Sequence, residues 1–224
     1  MQLEKLTKRS RSETKRGYED ACGTAHALEL IGERWSLLVL RELMLGPRRF
    51  SELKGDLPGI SANVLAQRLA ELEERGLVNR IKLPPPASVQ VYEATAWGLE
   101  AEPIVQALGR WAARSPRHDP TLPISGVSIL LSFRTMFDPK KAQGLAARIG
   151  FVFGDMTYVL RIADGELTVA RGPVDGCDLI LSGEPAVLAG VVYGGLPLDQ
   201  MRVEGDRGLA RRFVDLFELP PKVE

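Results

Sequence analysis

Asn63 and Gln67 stand four residues apart, with Ala66 beside Gln67 and Ala70 beyond, so that in a helix all four fall on one side. A carboxamide offers a donor and an acceptor together, the pattern that pairs with the major-groove edge of adenine, and small alanines let a backbone come close to base edges. Ser61 precedes them with an N-cap oxygen. Leu65, Leu69 and Leu72, flanked by Val64, fall on the other side and pack inward. Glu71, Glu73 and Glu74 are confined to the C-terminal half, where phosphates would repel them. The base-reading surface expected from these spacings is therefore Ser61, Asn63, Ala66 and Gln67, with double-stranded DNA as the partner. Arg34, Arg48, Arg49 and Arg68, which precede or flank the helices, and Arg80 and Lys82, on the strand that follows, are candidate phosphate contacts. Such contacts position a protein on the duplex without specifying sequence. A solvated helix face with ordinary surface arginines is the competing reading.

Other chemistry finds little support. The chain holds two histidines, His26 and His118, one in the first helix and one in a linker. No Gly-rich phosphate loop, nucleophile elbow or metal-ligand spacing appears, so the chain is read as a non-enzyme without cofactor or metal. Formal charge is zero, 29 basic against 29 acidic residues, so bulk composition gives no reason to expect a polyanion partner. Local charge is more telling. Residues 1–17 carry Lys5, Lys8, Arg9, Arg11, Lys15 and Arg16 against Glu4 and Glu13, a basic arm that is either solvated disorder or a DNA contact. Two cysteines, Cys22 and Cys177, make no disulfide framework, which fits a reducing compartment. With no apolar run of about 18 residues and no signal-peptide core, the expected location is the cytoplasm, away from membranes.

The elements that would position the amides can be read from 18 to 114. Ala21, Cys22, Ala25 and Leu28 keep helical spacing up to Gly32, and Trp35 to Leu45 is apolar nearly all round, as a central helix must be, before Gly46-Pro47 ends it. A short helix near Phe50 to Asp56 closes at Leu57-Pro58-Gly59-Ile60, and the next runs from Ser61 to Arg75 and stops at Gly76. Two strand-like runs follow, Leu77 to Leu83 and Val89 to Glu93, joined by Pro84-Pro85-Pro86-Ala87-Ser88. A hairpin directly after a helix-turn-helix is a wing. Ile104, Ala107, Leu108 and Trp111 mark the apolar face of a last helix.

Leu30-Ile31-Gly32-Glu33-Arg34-Trp35, Arg49-Phe50-Ser51-Glu52-Leu53, Gly59-Ile60-Ser61, Leu65 through Glu73, Gly76-Leu77-Val78 and Thr95-Ala96-Trp97-Gly98 together resemble the HxlR family of bacterial regulators. The resemblance covers about residues 18 to 114. It implies a homodimeric winged helix-turn-helix on an inverted-repeat operator, dimerised through the first and last helices with Ala25, Leu28, Ile104, Leu108 and Trp111. The wing tip departs from that pattern, since Pro84 to Ser88 has no basic residue for a minor groove. Some relatives sense oxidants or electrophiles through a cysteine near the start of the first helix, where Cys22 stands. Its place on the apolar stripe with Ala25 and Leu28 argues instead for a buried, inert thiol. His26 is read as a packing or surface residue.

Residues 115 to 126, with three prolines, read as a linker to a second half at 127–224. That gives an α+β chain: a mainly helical winged domain, then a sheet-and-helix domain. Strands are expected over Val127 to Arg134, Arg148 to Phe153, Tyr158 to Ile162, Leu167 to Ala170 and Cys177 to Leu181, with hairpin turns at Gly154-Asp155 and Asp164-Gly165. Helices are expected over Glu184 to Tyr193 and Gly208 to Phe217. Asp164 to Leu167, Asp178 to Pro185, Gly195 and Val203 to Asp206 resemble the sterol-carrier-protein-like domain. That resemblance implies an apolar tunnel for a lipophilic effector, with Phe133, Phe151, Phe153, Tyr158, Leu188 and Val191 either lining it or simply filling a core. Two further functions stay open: a thiol-based redox regulator acting through Cys22, and a lipid or acyl carrier whose first half only dimerises.

Overall fold

The computed structural model describes residues 17–224; the basic arm, Gly17 apart, lies outside them. The first half runs α1 (Gly23–Ile31), α2 (Ser36–Glu42), α3 (Phe50–Asp56), α4 (Ala62–Glu74), β1 (Val78–Lys82), β2 (Gln90–Ala94), α5 (Ala96–Leu99) and α6 (Glu102–Ala113). The Gly32 N–H caps α1 by donating to Leu28 O, and Trp35, at φ 80°, turns the chain into α2. Ser61 Oγ accepts from Val64 N at 3.2 Å, so the expected N-cap sets the start of α4. Leu65, Leu69 and Leu72 hold that helix to the core, each worth roughly 2 kcal/mol of burial. β1 and β2 pair antiparallel from Val78↔Ala94 to Lys82↔Gln90. Arg48 and Tyr92 exchange two backbone hydrogen bonds of 2.8 Å, so the segment entering α3 forms a third rung beside the wing. The Thr95-Ala96-Trp97-Gly98 run has a local cause: Thr95 Oγ1 donates to Gly76 O, and a Cβ on Gly98 would come within 2.2 Å of Leu77 O.

The second half runs α7 (Gly126–Met136), β3 (Ala147–Phe153), β4 (Met156–Ala163), β5 (Glu166–Arg171), β6 (Leu179–Ser182), α8 (Pro185–Tyr193), β7 (Arg202–Gly205) and α9 (Arg207–Val214), with one 3-10 turn before β7. Its sheet has the order β5-β4-β3-β6-β7, with β3 and β6 parallel and the other neighbours antiparallel. Both expected hairpin turns are present, and Asp164 and Gly165 both have positive φ, as a two-residue type I′ turn requires.

The segment from Val127 to Arg134 is a helix, not a strand. Ser125 Oγ accepts from Ser128 N at 3.0 Å and caps it, and α7 is buried at Val127, Ile129, Leu130, Leu131, Phe133 and Met136. Ser128, Ser132 and Thr135 fall at helical spacing on its less buried side, a period that the Val, Ile, Leu and Phe between them mask in the sequence.

Nor do the proline-rich residues separate two cores. One cluster of buried apolar side chains runs from Val39 in α2 through α7 to Phe217. The chain end returns to the first half as well, with Val223 N donating to Arg114 O at 2.8 Å and Lys222 Nζ to the carbonyls of Ala113 and Ser115. Among the described residues no helix is long and apolar enough to cross a membrane, and no group of acidic, His or Cys side chains is arranged to hold a metal.

Candidate nucleic-acid interface

The α3–α4 pair presents the face that the spacings imply. Ser61, Asn63, Ala66, Gln67 and Ala70 are exposed along α4, while Leu65, Leu69 and Leu72 are buried behind them. Gln67 Nε2 donates to Glu71 Oε1 at 3.0 Å, so the amide is held along the helix while its carbonyl oxygen has no hydrogen bond among the described residues. The Asn63 amide makes no hydrogen bond among the described residues and is free to take one from outside. Glu71, one turn beyond Gln67, is tied to Arg68 at 2.7 Å, which keeps its charge at the C-terminal half of the helix.

Of the six expected phosphate contacts, four face solvent. Arg34 is exposed, with its guanidinium 5.4 Å from the Trp35 ring centroid. Arg49 is exposed at the start of α3, where its backbone N–H donates to Glu52 Oε2 at 2.8 Å. Arg80 is exposed and 3.8 Å from Glu73, and Lys82 is exposed on β1.

Arg48 and Arg68, unlike the other four, are not surface cations. Arg48 is 3% exposed, bonded to Asp56, 3.3 Å from Glu52 and 3.4 Å from the Tyr158 hydroxyl on β4. The Tyr158 hydroxyl, desolvated by its burial, is pushed above the ordinary phenol value despite the neighbouring Arg48. Arg68 is 8% exposed between Glu33 and Glu71. Sequence offered a signal for both, since Glu52 and Asp56 lie four and eight residues after Arg48 and Glu71 lies three after Arg68. The Arg48 pairing with Tyr158 had no local signal, because the partner is 110 residues away.

Apolar side chains of α1 and α6 stand in solvent: Leu28 is 48% exposed, Ile104 46%, Leu108 45% and Trp111 73%. Ala25, expected beside them, is buried within the chain. Trp97, Leu99, Leu122 and Tyr18 are exposed too, and were not singled out from sequence.

Cys22 is exposed, which overturns its expected burial on the α1 stripe. The helix begins one residue later, leaving Cys22 at the N-cap position. There the backbone N–H groups of Thr24 and Ala25, with the Thr24 side chain, hold its thiol below the ordinary cysteine value. Cys177 is half-buried, and burial pushes its thiol up. His26 is a surface residue, 3.1 Å from Glu29.

The six side chains named for a tunnel are packed instead. Phe133, Phe151, Phe153, Tyr158, Leu188 and Val191 are all buried, and Phe133 meets the rings of Phe217 at 4.5 Å, Phe213 at 5.4 Å and Phe151 at 6.1 Å. Ring-on-ring contacts at these distances describe a filled core.

Comparison with known proteins places the first half. A family model described as HxlR-like helix-turn-helix matches residues 30–119. An uncharacterized HTH-type transcriptional regulator of Synechocystis is 40% identical over 87 residues, 39% of this chain and 64% of its own length. In Bacillus subtilis, the uncharacterized regulator YkvN is 43% identical over 94 residues, covering 41% of this chain and 77% of YkvN. The HTH-type transcriptional regulator YodB is 38% identical over 86 residues, 38% of this chain and 77% of YodB. The solved reduced form of YodB aligns with a TM-score of 0.39 at 35% identity, covering 44% of this chain and 98% of that one.

Proposed function

The chain belongs to the HxlR-like helix-turn-helix family, and from that premise we propose that it is a dimeric transcriptional regulator that reads an inverted-repeat operator through the N-terminal half of α4. The carrying observation is the division of that helix. Its exposed face offers Ser61, Asn63, Ala66 and Gln67 at one end, and its carboxylates lie at the other, with Glu71 held by Gln67 and Arg68. Asn63 and Gln67 read base edges, and Arg34, Arg49, Arg80 and Lys82 take phosphates. Dimerisation through α1 and α6 covers Leu28, Ile104, Leu108 and Trp111, apolar surface that a monomer would leave in water. Two-fold symmetry then sets two copies of α4 about one helical turn of DNA apart, roughly 34 Å.

The test begins with DNA that the purified full-length protein selects from genomic fragments. Asn63→Ala and Gln67→Ala are expected to weaken binding at particular base pairs of the selected site, by about 1–3 kcal/mol each. Variants that bind and discriminate as the parent does would remove α4 from base reading.

The exposed Cys22 supports a second reading, regulation by thiol oxidation. A thiol held toward its thiolate at a helix N-terminus is the form that reacts with oxidants and electrophiles. Iodoacetamide is expected to modify native Cys22 well before Cys177, and an oxidant to change operator affinity in the parent but not in Cys22→Ser. An equal response in Cys22→Ser rules this regulation out. The side chains named for a lipophilic tunnel form a packed core, which favours neither a lipophilic effector nor a lipid carrier. The matched relatives are transcriptional regulators, and no enzymatic family is indicated.

A further inference from the structure

Alternation along the strands of the second half gives its sheet two unlike faces. Ile149, Phe151, Tyr158, Leu160 and Leu181 point into the core, whereas the opposite face leaves Arg161, Thr168 and Ala170 exposed. At the end of that outer face where β3 begins and β4 finishes, the register sets Arg148 opposite Arg161 and Arg161 opposite Thr168. All three side chains therefore leave the sheet on one side as immediate neighbours. They border a solvent-open recess of about 430 Å³, which Glu166 and Asp178 also line.

Two guanidinium groups side by side across a ladder repel each other unless an anion lies between them. Here none does. Neither Arg148 nor Arg161 has an ion pair or a side-chain hydrogen bond among the described residues, and Arg148 Nε is buried without a partner. A buried donor on a charged group is costly to leave unmet and is ordinarily satisfied. The nearby Asp178 carboxylate is engaged elsewhere, accepting the Arg148 backbone N–H at 2.7 Å. Val174 fixes the loop leading to Asp178, because it lies over Gly150, where a Cβ would come within 2.8 Å.

We propose that Arg148 and Arg161 bind a small organic anion in this recess, through a carboxylate or phosphate group, with the Thr168 hydroxyl as a further donor. Paired guanidinium groups suit the planar carboxylate and the phosphate alike. The volume lies at the lower end of small-molecule sites. This site is distinct from the packed interior of the second half and from the DNA-reading face, and it does not depend on either reading. Its strand reaches the first half, however: β4 carries Arg161 on the outer face and, on the inner face, Tyr158 against Arg48.

The test uses full-length ¹⁵N-labelled protein titrated separately with sodium phosphate and sodium succinate at constant ionic strength, following the arginine Nε–H signals, with calorimetry for stoichiometry. The expected result is saturation by at least one probe at one site per chain, with the Arg148 and Arg161 signals moving together. Saturation by phosphate alone assigns a phosphate-bearing ligand, and by succinate alone a carboxylate. Arg148→Gln and Arg161→Gln are each expected to weaken binding about ten-fold or more, while Arg202→Gln, on β7 beside Glu204, leaves it unchanged. If Arg148→Gln fails to fold, the exposed Arg161 decides alone. Binding in Arg161→Gln as tight as in the parent, or no saturation by either probe up to about 10 mM, overturns the proposal.

Discussion

An arginine beside a helix-turn-helix contacts phosphate only when the fold has not already supplied its counterion. Arg48 has Asp56 and Glu52 against it and is 3% exposed, so removing it strands two carboxylates and the Tyr158 hydroxyl in a half-buried joint. Lys82 has no such partner among the described residues and stands in solvent. The two substitutions should therefore separate cleanly. Arg48→Ala is expected to lower the unfolding free energy by about 2–4 kcal/mol and to leave the salt dependence of DNA binding by the folded protein unchanged. Lys82→Ala is expected to leave stability within about 0.5 kcal/mol and to reduce the log–log salt slope of a dimer by about 2, at roughly 0.9 per phosphate released. Chemical denaturation and binding over a salt series measure both, and the reverse pattern would return Arg48 to the interface. At this scale the amides of α4 were legible because helical spacing alone fixes which side they share. The arginines were not, since a basic residue type carries no record of which way it faces. Cys22 was misplaced by a single residue, which moved it from a buried stripe to the N-cap of α1.

Among the elements, α2 and α7 meet around a buried carboxylate. Glu42, at the end of α2, is 0% exposed; its Oε1 accepts from Ser125 Oγ at 2.8 Å and from Arg41 at 2.7 and 2.9 Å, while Oε2 has no hydrogen-bond partner among the described residues. Desolvation pushes the Glu42 carboxyl above the ordinary range, against the smaller opposing pull of Arg41 and Ser125. A folded state that holds a proton more tightly than the unfolded chain is favoured by Glu42 below the ordinary carboxylate range. That contribution is lost as pH rises through the raised value. Glu42→Gln keeps the shape and the acceptor without the charge, so its stability relative to the parent should grow as pH rises from about 4 toward 8. Melting temperatures of the two proteins across that range measure it, and a constant difference would mean that Glu42 titrates as an ordinary carboxylate. Neither the joint nor α7 was legible: only the short side chains of Ser128, Ser132 and Thr135 mark the less buried side of α7 at helical spacing, and the Val, Ile, Leu and Phe between them suit a buried strand equally well. β3, β4 and β5 keep a cleaner alternation and were found, with their turns, from sequence.

For the whole molecule, the question is whether the proline-rich residues 115–125 join two bodies or fold back within one. Prolines report only that no regular element passes through them, so the sequence could not separate these cases. In the structure Arg134 Nη1 of α7 donates to both carboxylate oxygens of Glu102 of α6 at 2.6 and 2.7 Å, Arg171 of β5 donates to Pro47 O at 2.9 Å, and the apolar core is continuous across the junction. Two bodies joined by a tether would melt separately, each with an enthalpy of about 70 kcal/mol; a single cooperative unit of this length would absorb about 150 kcal/mol in one transition. The chain supplies its own probe. All three tryptophans, Trp35, Trp97 and Trp111, lie in the first half, so their fluorescence follows that half alone, whereas far-ultraviolet circular dichroism follows both. The two signals are expected to change together. Leu130→Ala, which empties a fully buried position in α7, should cost about 2–5 kcal/mol and lower the fluorescence transition as much as the dichroism transition. A tryptophan signal indifferent to Leu130→Ala would mean that the winged half unfolds on its own. An equal shift would mean that a change at Leu130, in the second half, is felt by the fold that holds α4.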